Sequence, residues 1–572
     1  MQMAGSIVTL LKKRPGLLVI LALLFFVVTS VASMSRKSAT VDEPLHLTAG
    51  YSYLVTGNFR LNLEHPPLIK MLAALPLLPL SLDFRLLDDR EFFEERIRLS
   101  RRFVFANKQP AEKIVFLSRV PMVLLGLALG GLVYLWSRQI AGTLAGILAL
   151  LLYVFDPNII ANSQLVTFDL GLSLFMTLAL YCLVRYMKWP SALNLWLAGA
   201  AFALSMLTKF TAIALVPIYA VLILAYRVRR GWVSVWAHSW RLSGAMVIMT
   251  MGLAFVVYGF EFRPPGPPPV TVEYYLDKYT SPSSPVRKLV LGIASGIVIP
   301  APTFWRGLDW QRRYRLEGPG ICHMMRQTRA GRCPGFYFLV FGVKTPVGTL
   351  ALFALALAGF VYRVFMAGVR DTVSIDESII LSSAAIFFGL SMLQKISLGV
   401  RYILPVYPLI FIFTASQLVW LASRPTRWVR SAALIAAAGF IVWVIASSVR
   451  IFPHFSSYFN ELAGGPQNGW RYVAGCDVDC GQDLPGIREY LRRHAIKEVY
   501  LEYIGPTPPE YYGIRWERVP TDQEVARIGA PRGVIAVSIS SQVVNRPMLR
   551  TWLWAYRPVA TIGYSTWIYD LR

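Results

Sequence analysis

Three carboxylates and several cations stand at the edges of apolar runs, where an ionisable side chain is costly without a partner or a task. Thr40-Val-Asp42-Glu43-Pro44-Leu-His46 places two adjacent carboxylates just after the first apolar segment. Asp before Glu-Pro is also a good helix start, with the Asp capping free backbone N–H groups, and a carboxylate can do both. Farther on, Asn58-Phe-Arg60-Leu-Asn-Leu-Glu64-His65-Pro66-Pro67-Leu68-Ile-Lys70 gathers ionisable side chains around a stiff Pro-Pro step. Asp169, in Val166-Thr-Phe-Asp169, is a third carboxylate, and singly such a residue is more often a cap than a catalyst. Positive charge comes from Lys209, from Lys344 in Val343-Lys344-Thr345-Pro346, from Lys395, and from Arg401 in Gly399-Val-Arg401-Tyr402-Ile-Leu-Pro405. Some of these should be interfacial anchors that reach for lipid headgroups. Together they also suit a lipid phosphate and a nucleophile: cations hold the phosphate as it becomes a leaving group, and a carboxylate accepts the proton of an attacking hydroxyl.

The elements that must position these residues are mostly apolar. The chain has 572 residues, 55% of them hydrophobic, and a mean hydropathy of +0.50, more apolar surface than a soluble core of this size needs. A hydrocarbon slab about 30 Å thick needs roughly 17 to 25 apolar residues per helix, and about eleven such segments can be drawn. They run near Pro15 to Ala32, Ile114 to Trp136, Ile140 to Phe155, Phe168 to Tyr186, Leu193 to Leu207, Thr211 to Tyr226 and Ser243 to Phe260. Four more lie near Val347 to Val364, Ile379 to Leu393, Tyr402 to Leu421 and Ser431 to Val449. The two around Lys209 are short enough to be one tilted helix instead. The first follows Lys12-Lys13-Arg14 but precedes no small-residue cleavage site, so it reads as a retained helix and not a signal peptide. The formal charge of +25 does not point to nucleic acid, because Lys and Arg fall in short clusters between apolar runs.

Alternate threading puts Arg138, Arg185, Lys188, Arg227, Arg229, Arg230, Arg363, Arg370, Arg424, Arg427 and Arg430 on the side of Lys12, as the positive-inside rule requires. A membrane domain of residues 1–450 is expected, with external loops 33–113 and 261–344, followed by an extracytoplasmic α/β domain of residues 451–572. In the first loop Asp88 to Arg102 could lie on the membrane surface as an amphipathic helix. The second opens on Arg263-Pro-Pro-Gly-Pro-Pro-Pro, which cannot continue a helix. In the last domain Pro485 to His494 fits a helix, and Glu498 to Tyr503 and Val534 to Ser538 fit strands. Cys322 and Cys333 share one external loop, and Cys476 and Cys480 share the C-terminal domain, so two disulfides are the economical expectation. A zinc site from Cys476, Cys480 and His494 competes but lacks an evident fourth ligand.

In this combination and order the sequence resembles the protein O-mannosyltransferase family and the related bacterial aminoarabinose transferases, glycosyltransferases of the GT-C fold. The resemblance rests on Asp42-Glu43, Glu64-His65-Pro66-Pro67-Leu68-Ile-Lys70, Thr167-Phe-Asp169, Leu207-Thr-Lys209, Lys344-Thr-Pro346 and Arg401-Tyr-Ile-Leu-Pro405. Tyr458-Phe-Asn460-Glu461-Leu-Ala-Gly464-Gly465-Pro466 and Asp479-Cys-Gly481-Gln482-Asp483 look like a bacterial branch whose members usually carry Asp-Trp-Gly-Gln-Asp; here Cys480 replaces the tryptophan. The resemblance implies a polyprenyl-phosphate sugar donor, an inverting transfer, and an acceptor hydroxyl on a protein, lipid or envelope glycan. It implies an inner (plasma) membrane location, with the amino terminus cytoplasmic and the C-terminal domain periplasmic. Asp42 matches the catalytic base position, Glu43 would shape the site, and Asp169 is a second site carboxylate. His65 falls near the donor, with Arg60, Glu64, Lys70 and Lys209 beside it, and Arg401, Tyr402 and Lys344 fall at candidate phosphate contacts. No metal or other cofactor is expected, since polyprenyl phosphate is already a good leaving group that cations can stabilise; Asp477-Val-Asp479 matches the Asp-x-Asp signature of metal-using transferases only superficially.

A transporter or flippase is the main alternative. Against it, no internal repeat relates the two halves, and the ionisable residues gather at one face and not at the bilayer midplane. A binding scaffold, with the C-terminal domain recognising a glycan, would not need the carboxylate pair beside the first helix.

Overall fold

The computed structural model describes residues 14–84, 93–230, 232–263, 284–285, 289, 299–317, 320–368, 373–545 and 550–572. Lys12, Lys13, Phe92, Arg370 and the proline run after Arg263 lie outside them, as do the side chains of Arg227, Arg229 and Arg230.

Apolar runs become helices because, without water, the backbone must satisfy its own polar groups. In chain order they are α1 (Pro15–Met34), α2 (Glu43–Thr56), α3 (Leu68–Ala74), α4 (Phe93–Phe105), α5 (Ala111–Val154), α6 (Pro157–Ser163), α7 (Asp169–Lys188), α8 (Ala192–Thr208), α9 (Leu215–Arg230) and α10 (Trp232–Val257). Then come α11 (Pro302–Glu317), α12 (Phe336–Lys344), α13 (Val347–Ala367), α14 (Ile375–Met392), α15 (Val406–Ala422) and α16 (Arg427–Ile451). Among the described residues seven helices are long and apolar enough to cross a membrane. This is a multi-pass membrane protein.

The 44 residues of α5 are two arms, because Ala141 and Gly142 leave helical geometry and Gly142 takes φ 83°. The arms fold against one another, and Tyr153 Oη donates to Gly126 O at 2.6 Å. This accounts for the two segments expected from Ile114 to Phe155. The pair around Lys209 is also two helices, since Lys209 is extended (φ −154°, ψ 133°) and ends α8. α15 has only 17 residues, yet Val406 to Leu418 are all buried. A helix apolar on every side has no solvent face, and α15 accordingly packs among α5, α13, α14 and α16.

The bundle has two chemically distinct ends. α7 runs from Asp169 to Lys188 and α8 returns to Lys209, so Asp169 and Lys209 share an end. At the other end Lys188 pairs with Asp376, which also accepts from Trp136 Nε1 at 3.0 Å, and Arg363 reaches Glu377. Lys188 and Arg363 thus share the side that their sequence positions predicted.

The segment between α1 and α5 folds back on the bundle. α2 and α3 touch closely enough that a Cβ on Gly50 would meet Lys70 O at 2.0 Å, so only glycine fits there. α4 covers part of the expected surface helix. Two short antiparallel pairs, β1 (Phe262–Arg263) with β2 (Ile299–Pro300) and β3 (Ile321–Met324) with β4 (Gln327–Ala330), precede the C-terminal segment. That segment forms β5 (Glu498–Glu502), β6 (Arg515–Arg518), β7 (Val534–Ser538), β8 (Ala560–Ile562) and β9 (Thr566–Asp570) in one sheet of order β6-β5-β7-β9-β8, with α17 (Leu484–Arg493) against it. β5 is parallel to β6 and β7, and β9 is antiparallel to β7 and β8.

Candidate active site

Asp42 stands at the N-cap of α2, yet its side chain makes no capping bond. Glu43, the first residue of α2, instead binds back to the chain before the helix, accepting from Thr40 N at 2.8 Å and Thr40 Oγ1 at 3.0 Å. Asp42 is left to accept from Arg401 Nη1 at 2.9 Å, with its side chain 36% exposed. Burial alone would raise the Asp42 carboxyl, but the charge of Arg401, with smaller help from His46 and Lys209, outweighs it and holds the group below the ordinary carboxylate range.

Its neighbour has a different environment. Glu43 is fully buried and takes Arg119 in a two-pronged bond, Nε at 2.8 Å and Nη2 at 2.6 Å, while Val166 N donates to it at 3.1 Å. Arg119 also donates to Met34 O, Lys37 O and Ser38 O, tying the chain between α1 and α2 to α5. Both Glu43 oxygens are committed, so the residue shapes the site without facing it.

Phe168 lies between two imidazoles, His46 at 4.6 Å and His65 at 4.4 Å. That contact brings the start of α7 to α2, and Asp169, the first residue of α7, meets Lys209 Nζ at 2.6 Å. The same ammonium sits 4.4 Å from the Tyr402 ring centre. Burial, then the charges of Lys209 and Lys70, push His65 well below its usual range, so its imidazole is neutral. The Glu64 carboxyl is raised, first by burial and then by Asp42, and Glu64 O accepts from Gln311 Nε2 of α11 at 2.7 Å. Asp42, Glu64, His65, Lys209 and Arg401 thus act on one another's charge in a single cluster. Arg60 is half-buried in the turn after α2, its N–H held by Asn58 Oδ1 at 3.0 Å.

Two cations expected at the site turn inward. Lys70 donates to Asn62 O at 2.7 Å and His65 O at 2.8 Å, and burial lowers it to about 7. It fixes the backbone of the His65-Pro66-Pro67 step. Lys344 is also buried, and it donates to Ser456 O at 2.9 Å and Asp477 O at 2.8 Å. Neither ammonium has geometry for a substrate phosphate.

Beside Asp169 and Lys209 opens a cavity of about 480 Å³. Its lining combines apolar side chains, Ile213, Val216, Pro217, Phe387, Leu390 and Leu393, with Lys209, Arg315, Arg332, Lys395 and Tyr402. Buried guanidinium N–H groups lack protein acceptors among the described residues: Arg315 Nε and Nη2, whose residue lines the cavity, and Arg401 Nε, beside the Tyr402 that lines it. Buried N–H groups are nearly always paired in a folded protein, so these are the groups a ligand would satisfy. Arg315 belongs to α11, and Arg332 precedes Cys333 just after the hairpin of β3 (Ile321–Met324) and β4 (Gln327–Ala330). Sequence reasoning missed Arg119, Arg315 and Arg332. An arginine inside the apolar Ile114 to Trp136 run was a usable signal for Arg119; the other two sit in polar loops where nothing distinguishes them.

Cys322–Cys333 and Cys476–Cys480 are both disulfides. This displaces the zinc alternative, since two of its ligands are bonded to each other and His494 Nδ1 lies on Tyr490 O at 2.9 Å.

Residues 114–256 match the family model described as dolichyl-phosphate-mannose-protein mannosyltransferase. No curated protein matches the chain in sequence. Among solved structures, the Saccharomyces cerevisiae protein O-mannosyltransferase Pmt1-Pmt2 complex bound to the sugar donor matches at 12% identity and TM-score 0.50, over 77% of this chain and 89% of that one. The Archaeoglobus fulgidus oligosaccharyltransferase AglB, in complex with an inhibitory peptide and a dolichol-phosphate, matches at 11% identity and TM-score 0.50, over 93% of this chain and 70% of that one. ArnT from Cupriavidus metallidurans in the apo state aligns over 99% of this chain and 98% of its own, at 15% identity and TM-score 0.46. The chain has the GT-C glycosyltransferase fold that the first two share.

Proposed function

We propose that this protein is a membrane glycosyltransferase that moves a sugar from polyprenyl phosphate to an acceptor hydroxyl, with inversion. The observation that carries the reading is the cavity: its lining combines apolar side chains with cations, and the buried Arg315 N–H groups on it lack protein acceptors among the described residues. An isoprenoid chain fits the first property and a phosphate the second. The matched family description, and neighbours solved with a sugar donor and with a dolichol-phosphate, support the same donor class.

In this reading Lys209 and Arg315 hold the phosphate, and Arg401 holds and orients the base, Asp42. The acceptor oxygen attacks the anomeric carbon, the bond from that carbon to the phosphate oxygen breaks, and the electron pair leaves with polyprenyl phosphate. Asp42 takes the acceptor's proton. Charge developing on the phosphate is met by fixed cations, so the step needs no metal. The acceptor is a hydroxyl on a protein, lipid or envelope glycan. The site faces the extracytoplasmic side of a bacterial inner membrane, opposite the Lys188 and Arg363 end.

The test is release of free polyprenyl phosphate from a panel of polyprenyl-phosphate sugars, with membrane extract supplying acceptors. Wild type should release it, and Asp42→Asn should lose about 10²- to 10⁴-fold in turnover, the usual worth of a positioned base. Full activity in Asp42→Asn would remove Asp42 from the mechanism.

A further inference from the structure

Asp42 and Arg401 meet across 359 positions of sequence, and neither sits inside a long helix that would fix it. One short loop touches the backbone on both sides of the pair. Val41 N–H, next to Asp42, donates to Cys480 O at 3.1 Å. Val400 N–H, next to Arg401, donates to Asp477 Oδ1 at 3.0 Å. Asp477 lies inside the loop that the Cys476–Cys480 disulfide closes.

The loop is anchored in turn. Ser38 N–H donates to Gln482 O at 3.0 Å and Ser38 Oγ to Gly481 O at 2.9 Å, on the Asp42 side. On the Arg401 side Gly399 adopts φ 76°, and a Cβ there would fall 1.9 Å from Asp477 Oδ2, so glycine is required for the carboxylate to come this close. Asp477 is buried, and Lys344 lies 4.0 Å from its Oδ1 while donating to its carbonyl oxygen. Lys344 therefore supplies the counter-charge for the buried carboxylate that grips Val400.

We infer that the disulfide loop from Cys476 to Cys480 is the positioning device of the active site, with Asp477 and Lys344 as positioning residues that set Arg401 against Asp42. The inference rests on the transferase reading for its kinetic meaning, but its geometric content stands apart. The donor cavity lies on Lys209, Arg315 and Arg332, which the loop does not touch. Loosening the loop thus misaligns the base and its arginine while donor binding persists.

The experiment compares wild type with Asp477→Ala, Asp477→Asn and the double variant Cys476→Ser/Cys480→Ser, in hydrogen–deuterium exchange and in donor turnover. Asp477→Ala and the double variant should speed exchange in peptides covering residues 38–43 and 398–403, with α15 and the C-terminal sheet unchanged. Their kcat should fall about 100-fold, the scale expected of an ångström-sized misplacement, at a donor KM within about twofold of wild type. Asp477→Asn keeps an acceptor for Val400 N–H and should recover part of the loss. Unchanged exchange in both peptides, an unchanged kcat, or a loss expressed in donor KM would overturn the inference. Exchange rising throughout the protein would equally overturn it, making the loop a general stabiliser. A wild type that turns over no polyprenyl-phosphate sugar would remove the transferase reading, while the exchange pattern would still decide the tie between the two segments.

Discussion

Two adjacent carboxylates with opposite fates show what side-chain direction adds to sequence. Asp42 and Glu43 are equivalent as letters, yet Glu43 is enclosed by Arg119 and Thr40 while Asp42 looks outward to Arg401. Breaking a buried, hydrogen-bonded ion pair costs about 3–5 kcal/mol, so Arg119→Ala should lower the thermal midpoint measured in detergent, whereas Asp42→Asn should not. A pH profile separates the carboxylates further. Because Arg401 holds Asp42 below the ordinary range, Asp42 stays ionised as pH falls through about 4, and an acidic limb of kcat/KM due to it lies below that. A limb well above pH 5 would belong to a raised group, of which Glu64 is the nearest. The sequence placed Asp42, Asp169, Lys209 and Arg401 near one another from their positions at helix ends, and the structure brings them together. It could not reveal that Lys70 and Lys344 spend their ammonium groups on backbone carbonyls, because nothing in the spacing reports which way a lysine turns.

At the scale of elements, apolar runs marked the helices well, since each needed only length and hydropathy. The break in α5 and the extended Lys209 appeared as short or divided runs. Invisible was the contribution of α11 and the β3–β4 hairpin, whose Arg315 and Arg332 line the cavity from a polar loop without periodicity. A charge-assisted hydrogen bond is worth about 1.5–3 kcal/mol, so Arg315→Ala should raise donor KM roughly 10- to 100-fold in steady-state assays and leave the melting curve unchanged. Opening Cys322–Cys333, which closes the hairpin beside Arg332, should act in the same direction but more weakly, because Arg332 is exposed.

For the molecule as a whole, the two ends of the bundle make a topological prediction. Gln327, in the β3–β4 hairpin, and Arg427, at the start of α16, are both exposed. The native thiols give little background, with four in disulfides and Cys182 buried. In spheroplasts, Gln327→Cys should react with a membrane-impermeant maleimide and Arg427→Cys should react only after permeabilisation; the reverse pattern would invert the orientation. Turnover should also survive EDTA, since cations of the chain carry the phosphate charge in the proposed step; loss of activity restored by added metal would count against it.

The bonds from Val41 to Cys480 and from Val400 to Asp477 also bear on how the protein is made. Among the described residues every helix long and apolar enough to span a membrane ends by Ile451, so these spans are synthesised before the loop. Until that stretch has been made and its cysteines joined, the segments that carry Asp42 and Arg401 lack these contacts. If the proposed transfer is right, catalytic competence therefore arrives late in biogenesis, after the bundle itself has been made.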